Sequence, residues 1–281
     1  MVRSRRLWTA AFLTIPLLIY MIIVVGPLFY SFFFSITDWN GFNFDFNIVG
    51  LANFVKVFND PLFGNAIRNT LIWFAAALTL PTLGGLLLAL ALQRGLRGAR
   101  LYKSLFYLPI CLSLAVVGQI WIWIYQPRWG LLNLGLNAAG LDQLTRAWLA
   151  RPETALLSVI IAWAWQQTGL AMVIFLAGLT SIPAEMTEAA QIDGASYRQT
   201  LRHVVIPLLR PASVIVIALA VINSLKSFHS SDTLAMFMYN ESFKKYYMGY
   251  GSAIAVVLFL IALVVIAFYF RQVRSLEHLY D

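Results

Sequence analysis

Six long apolar runs separated by polar segments dominate the pattern of this 281-residue chain. Each run holds about 18 residues or more, and at a rise of about 1.5 Å per residue such a helix crosses the hydrocarbon core of a bilayer. The chain is therefore predicted to be an all-α integral membrane protein, with a single transmembrane domain over residues 1–281. The six predicted membrane helices cover about residues 7–34, 68–92, 104–125, 153–179, 211–228 and 251–270.

The amino-acid composition agrees with this pattern and narrows the classes of function. Hydrophobic residues make up 60% of the chain and charged residues only 11%, whereas charged residues make up about 25% of an ordinary soluble domain. The chain has one cysteine, Cys111, and its three histidines are far apart, so it shows neither a disulfide framework nor metal-ligand spacing. It also shows no nucleophile paired with a base. We therefore predict that the chain is not an enzyme and has no catalytic residue, metal site or cofactor.

The net charge of +8 is distributed unequally along the chain. The N-terminus, residues 93–103, residues 181–210 and the C-terminus together carry twelve Lys or Arg against five Asp or Glu, a net charge of +7. Only +1 remains for all other segments. Because loops rich in Lys and Arg stay on the cytoplasmic side, this asymmetry predicts that both termini are cytoplasmic. It also accounts for the positive charge without a nucleic-acid partner.

The polar stretch over residues 181–210 predicts a bent pair of short helices between the fourth and fifth membrane helices. Ser181 is expected to cap the first short helix, which is entered through Pro183. Gly194 is expected to supply the left-handed turn that ends this helix. Ser196 is expected to cap the second helix, which should stop at or before Pro207.

Nine positions in this stretch resemble the EAA loop of binding-protein-dependent ABC importers, in the carbohydrate-uptake branch that includes the maltose-type permeases. These positions are Glu188, Ala189, Ala190, Asp193, Gly194, Ala195, Ile206, Pro207 and Pro211. In that family the loop docks into a cleft on a separate ATPase subunit. The resemblance therefore implies a cytoplasmic coupling loop, and we expect all of these positions except Ile206 and Pro211 to contribute to ATPase coupling.

The same resemblance implies an assembly of several subunits. It contains a second homologous permease, two ATPase subunits that hydrolyse ATP, and an extracytoplasmic substrate-binding protein. The C-terminal sequence L-E-H-L-Y-D lacks the glycine- and alanine-rich tail of one partner type, so the chain is similar to the first, maltose-subunit-like partner of a heterodimer. The implied location is the cytoplasmic membrane of a bacterium or archaeon, in contact with lipid. The implied solute is a carbohydrate or a related polyol.

Polar and aromatic residues inside the fourth and fifth membrane helices are candidates for the solute pathway. They are Trp163, Trp165, Gln166 and Gln167 in the fourth helix and Asn223, Lys226 and Ser227 in the fifth. Amide groups can bind sugar hydroxyls and aromatic rings can stack on a sugar face. Two alternatives stay open: the amides serve only as hydrogen bonds between helices, and Lys226 extends to the outer membrane surface.

One other class of function stays open, an autonomous secondary transporter or channel for a small polar solute. Proton coupling usually requires acidic residues or histidines in the membrane interior, and the predicted helices carry no acid between their ends. The sequence of residues 98–104 is similar to the motif of a phosphate-binding loop, but Tyr102 stands where that motif needs a glycine. We therefore favour a permease subunit of an ATP-driven importer.

Overall fold

The computed structural model describes residues 12–43, 45–93, 95, 97–225 and 233–277. This part of the chain is helical and contains no β-strand, apart from an isolated bridge between Thr37 and Ile48. The predicted all-α fold is therefore confirmed. The chain divides into two compact units, one formed by residues 1–68 and 232–264 and the other by residues 69–231 and 265–281.

We number the helices of the described residues in chain order. They are α1 (Phe12–Phe34), α2 (Ala52–Asn59), α3 (Pro61–Gln93), α4 (Ala99–Tyr107), α5 (Leu114–Ile124), α6 (Leu131–Ala138), α7 (Pro152–Thr180), α8 (Ala184–Ile192), α9 (Tyr197–Leu208), α10 (Arg210–Leu225), α11 (Leu234–Tyr239) and α12 (Met248–Glu277). Short 3-10 turns follow α4 and α6, at Leu108–Cys111 and Asp142–Leu144. Wider π-helical turns lie inside α1 and α9 and directly after α11, at Met21–Val25, Leu201–Val205 and Asn240–Lys244.

The membrane-spanning helices correspond to the six predicted runs. Four helices are long and apolar enough to cross a bilayer alone: α1, α3, α7 and the Met248–Ala267 part of α12. Two pairs of helices are long and apolar enough only when the two members of each pair are counted as one. These are α4 with α5, which meet at 105°, and α9 with α10, which meet at 63°. Counting each bent pair as one span gives up to six candidate spans in a multi-pass membrane protein. In the second pair, the predicted membrane run lies in α10, whereas α9 belongs to the predicted loop over residues 181–210. Residues 7–11 and 226–228 of the predicted helices lie outside the described residues.

The structure differs from the prediction of one continuous third helix over residues 104–125. Helix α4 ends at Tyr107, and α5 begins only at Leu114. Pro109 lies in the intervening 3-10 turn and has no N–H group for a helical hydrogen bond. Ser113 then adopts an extended conformation and caps α5, because its Oγ accepts a hydrogen bond from the Val116 N–H at 3.4 Å. The apolar pattern does not reveal this break, since it continues through both helices.

Other helix ends also lie beyond the predicted limits. Helix α3 begins at Pro61 rather than near residue 68, and the Leu62 N–H donates to Asp60 Oδ1 at 2.9 Å. Helix α12 runs from Met248 to Glu277, beyond the predicted 251–270 at both ends. The hydropathy pattern does not mark these ends, because the first turns of α3 include Gly64 and Asn65 and the last turns of α12 carry Arg271 and Arg274.

The first unit is held together around a small apolar cluster that includes Val57, Phe63, Leu234 and Ile254. Asn53 ties the segment after α1 to α2, because its Nδ2 donates to the carbonyls of Ser35 and Thr37 at 2.9 and 2.7 Å. A second contact lies beyond α11, where Lys245 Nζ is 2.6 Å from the Oε1 of buried Glu241. This hydrogen bond raises the pKa of Lys245 above its ordinary value.

In the second unit, α7 packs between α3 and α10 and supplies more of the described buried residues than any other helix. One cluster includes Met172, Phe175, Leu209 and Val216, and another joins the tryptophans Trp73 and Trp163. Two consecutive glycines of α3 permit the approach of α7. A β-carbon at residue 84 would contact the Thr168 side chain, and one at residue 85 would lie 2.7 Å from the Met172 backbone nitrogen. Small residues of this kind let two membrane helices approach closely.

Candidate functional site

A cleft with a mostly apolar lining lies between three helices of the second unit. Its lining residues are Pro81 from α3, Trp163, Gln167, Leu170, Ala171 and Ile174 from α7, and Val216, Leu219, Ala220 and Asn223 from α10. About 280 Å³ between these side chains is not filled by atoms of the described residues, and this volume includes space that is open to solvent. A mostly apolar lining with a few converging polar groups is the usual composition of a small-molecule site.

The two polar members of this lining face each other across the gap between α7 and α10. Asn223 Nδ2 donates to Gln167 Oε1 at 3.5 Å, the long limit of a hydrogen bond. Trp163 lies on the same face of α7, because it precedes Gln167 by four residues. The Trp163 ring is buried against Trp73, with 5.6 Å between ring centroids. The cleft therefore offers two amides beside a buried indole.

Two other predicted pathway residues of α7 lie outside the cleft lining. Gln166 is 3% exposed, and its Nε2 donates to the Leu112 carbonyl at 3.0 Å. Trp165 is 40% exposed and makes an edge contact with Trp121 at 5.9 Å. Successive residues of a helix point about 100° apart, so neighbouring members of one polar cluster face different surroundings.

The remaining pathway predictions, Lys226 and Ser227, lie outside the described residues. Sequence reasoning also missed the apolar lining residues, among them Pro81, Leu170 and Val216. In a chain with 60% hydrophobic residues, an aliphatic side chain carries no signal of its own. Pro81 is the exception, because a proline in the interior of a long helix stands out in the sequence.

The predicted coupling loop forms a bent helical pair, α8 and α9, joined by a tight turn. The Asp193 N–H donates to the Ala189 carbonyl, and the Ala195 N–H donates to the Ala190 carbonyl, both at 2.9 Å. Gly194 has φ of +78° between them. This is the pattern of a Schellman motif, in which a left-handed residue closes the helix end. The predicted role of Gly194 in the turn is confirmed.

The side chains of this turn are accessible in the chain. Glu188, Ala189, Asp193 and Gly194 are exposed, and Ala190, Ala195 and Pro207 are half-buried. Ile192, at the end of α8, is 86% exposed. The segment therefore presents small, acidic and apolar groups together on a hydrogen-bonded turn.

The two predicted helix caps have different outcomes. Ser196 is the N-cap of α9 as expected, and its backbone N–H donates to Gln199 Oε1 at 2.7 Å. The prediction that Ser181 caps α8 is wrong. Ser181 is instead the C-cap of α7, and its hydroxyl donates to the Gly178 carbonyl at 2.8 Å. Pro183 occupies the N-cap of α8 instead.

Helix α9 also continues past its predicted end at Pro207 and reaches Leu208. A π-helical turn at Leu201–Val205 precedes the proline, and the Ile206 N–H donates to the Leu201 carbonyl. An α-helix would bring the ring of a proline against the carbonyl four residues earlier. The wider turn changes the spacing of the carbonyls before Pro207, so the helix tolerates the ring.

Comparison with known proteins agrees with these features. Residues 81–276 match the family described as "Binding-protein-dependent transport system inner membrane component". The diacetylchitobiose uptake system permease protein NgcF of Streptomyces coelicolor is 35% identical, over 92% of this chain and 80% of that protein. The xylose/arabinose import permease protein XacH of Haloferax volcanii is 33% identical, over 95% of this chain and 87% of that protein.

A solved structure has the same fold. It is the crystal structure of a bacterial alginate ABC transporter in complex with an alginate pentasaccharide-bound periplasmic protein. One of its chains matches with a TM-score of 0.82 and 21% identity, over 97% of this chain and 96% of that chain. Since the family pattern covers the coupling turn and the cleft, and the relatives align over most of their length, this chain belongs to the inner membrane components of binding-protein-dependent transport systems.

Proposed function

We propose that this permease carries a carbohydrate or a related polyol across the membrane, as one half of a pathway formed with a second, homologous permease. The observation that carries the proposal is the cleft, in which Gln167 and Asn223 face each other beside Trp163. The names of two relatives support the solute class, since NgcF is a permease for diacetylchitobiose and XacH for xylose or arabinose.

The chemistry of the cleft suits a sugar hydroxyl. A carboxamide both donates and accepts hydrogen bonds, as a hydroxyl group does. The 3.5 Å contact between Gln167 and Asn223 is weak, so exchanging it for two shorter bonds to a hydroxyl costs little. The apolar remainder of the lining fits the C–H face of a sugar ring. The solute is therefore held by a few directional bonds and released easily.

Energy for transport comes from partner subunits in this proposal. The turn from Glu188 to Ala195, together with Pro207, docks on an ATPase, and exposed Ile192 supplies apolar contact area. A full assembly has two ATPase subunits, a second permease and an extracytoplasmic binding protein that delivers the solute. Both termini and the coupling segment lie in the cytoplasm, and residues 1–281 act as one transmembrane domain in a bacterial or archaeal cytoplasmic membrane.

The solute is identified by purifying the binding protein of the same system with its ligand, and uptake of that ligand then tests the cleft. Changing Gln167→Leu or Asn223→Leu removes one neutral hydrogen bond, which is worth about 0.5–1.5 kcal/mol. Uptake is expected to fall about two- to tenfold, while assembly and basal ATP hydrolysis stay unchanged.

Gln119→Leu is the matched control, because Gln119 is exposed on α5 and does not line the cleft. Normal uptake by both cleft variants would contradict the pathway role of these amides. A binding-protein ligand that is neither a carbohydrate nor a polyol would contradict the solute class.

A further inference from the structure

The break between α4 and α5 is held from both sides by one face of α7. The two helices meet at 105° across the 3-10 turn Leu108–Cys111 and the non-helical residues Leu112 and Ser113. A bend at such a break leaves backbone groups without helical partners. In a membrane protein, neighbouring elements must satisfy these groups.

The first contact lies before the turn. Gly169 of α7 packs directly against the backbone of Phe106 in α4, where a β-carbon would collide with the Phe106 carbonyl. Only glycine permits this approach, since the clash is with main-chain atoms rather than with a movable side chain. The end of α4 is therefore seated against α7 at one point.

The second contact lies after the turn. Gln166 Nε2 donates to the Leu112 carbonyl at 3.0 Å, from a side chain that is 3% exposed. Gln166 and Gly169 are three residues apart on α7 and therefore share a face of the helix. Together they bracket the turn, one on each side of it.

A third contact fixes the far end of α5 to the same helix. The Tyr125 hydroxyl donates to the Ser158 carbonyl of α7 at 3.0 Å in a buried position. The bent pair is thus fastened to α7 before the break, after the break and at its far end. These three contacts oppose any straightening or rotation of the bent pair relative to α7.

We propose that Gln166 is a positioning residue that, with Gly169, locks the break between α4 and α5 so that the bent pair moves with α7 as one body. Gln166 then differs in role from Gln167, which faces the cleft. Gln166 binds the backbone at the break and does not touch the solute. The proposal does not depend on the identity of the solute.

Cys111 provides a reporter at the break itself, because it is the only cysteine of the chain, is exposed and lies in the 3-10 turn. A nitroxide label on Cys111 of the full-length chain in lipid vesicles reports local mobility by electron paramagnetic resonance. Gln166→Met keeps the side-chain length and removes the donor. Loss of this buried bond is expected to raise the population of the mobile label about 5- to 150-fold.

Gln167→Met is the matched control, since it makes the same chemical change one residue away and should leave the label spectrum unchanged. A wild-type spectrum in Gln166→Met, or equal mobilisation by both variants, would overturn the proposal.

If Gln166→Met does not accumulate in the membrane, Gly169→Ala and Gly118→Ala give a second comparison. A β-carbon at Gly118 meets open space, so only Gly169→Ala should change the label spectrum, and a wild-type spectrum there would also overturn the proposal.

Discussion

At the scale of single residues, the neighbours Gln166 and Gln167 show how helix rotation separates two identical side chains. Gln166 is buried and bonded to the Leu112 carbonyl, whereas Gln167 lines the cleft and meets Asn223. The rotation of about 100° per residue places one amide toward the break between α4 and α5 and the other toward α10. Identical chemistry therefore supports two roles, one proposed for positioning and one for solute contact.

Close helix packing at Gly85 gives a prediction at the same scale. In Gly85→Ala the added methyl group would lie 2.5 Å from the Ala171 β-carbon and 2.7 Å from the Met172 backbone nitrogen. Helices α3 and α7 must then move apart, and overpacking of this kind costs about 1–3 kcal/mol. We expect a lower midpoint of thermal unfolding for the purified chain in detergent.

The same substitution elsewhere in α3 provides the comparison. Gly64 is helical, and a β-carbon there has no neighbour within 4 Å. Gly64→Ala should therefore keep or raise the unfolding midpoint, because alanine stabilises a helix interior by about 1 kcal/mol relative to glycine. Equal midpoints for the two variants would show that α3 and α7 are not in tight contact.

At the scale of elements, two helices accommodate a proline by the same means. A π-helical turn precedes Pro27 in α1 and Pro207 in α9, and in each case the turn ends two residues before the proline. The sequence shows both prolines but not the wider turns. For Pro207 this leads to the expectation that the helix stops, whereas the first membrane helix is predicted to continue through Pro27. In the coupling segment, this turn keeps α9 continuous up to its 63° bend into α10.

The coupling turn gives a prediction at this scale. Gly194 has φ of +78°, and a β-carbon there would have no neighbour within 4 Å among the described residues. Substitution therefore acts through backbone strain, which costs about 1–2 kcal/mol for an ordinary residue in the left-handed region. In the assembled transporter, Gly194→Val is expected to reduce uptake per ATP hydrolysed or to release the ATPase from the membrane.

Two further variants separate strain from bulk. Gly194→Asn should have a milder effect than Gly194→Val, because asparagine tolerates the left-handed conformation. Gly135→Val makes the same change in α6, at an uncrowded glycine without a positive φ, and should leave coupling unchanged. Wild-type coupling in Gly194→Val would remove the mechanical role that we propose for this turn.

At the scale of the whole molecule, membership of the permease family decides between the two classes of function that the sequence left open. The chain is a membrane component of a binding-protein-dependent transport system and not an enzyme. The alternative of an autonomous transporter or channel is therefore set aside. The orientation in the membrane still rests on charge, with +7 of the total +8 on one set of segments.

Cysteine labelling in sealed cells tests this orientation. In a variant without Cys111, Arg97→Cys should react with a membrane-impermeant thiol reagent only after the cells are permeabilised. Ile48→Cys should react in intact cells, since Ile48 is 71% exposed and lies between the first two predicted membrane helices, on the side opposite the termini. Labelling of position 97 in intact cells would contradict the proposed topology.

Features that depend on nearby residues could be predicted from the sequence alone. The apolar runs, the left-handed turn at Gly194 and the cap at Ser196 are set by hydropathy and by local backbone preference. Pairing across long separations was decided only by the tertiary structure. Gln166 forms a hydrogen bond with Leu112, 54 residues away in sequence, and Gln167 forms one with Asn223, 56 residues away. Which amide meets which partner depends on how each helix is rotated in the packed unit, and in so apolar a chain the hydropathy pattern does not specify that rotation.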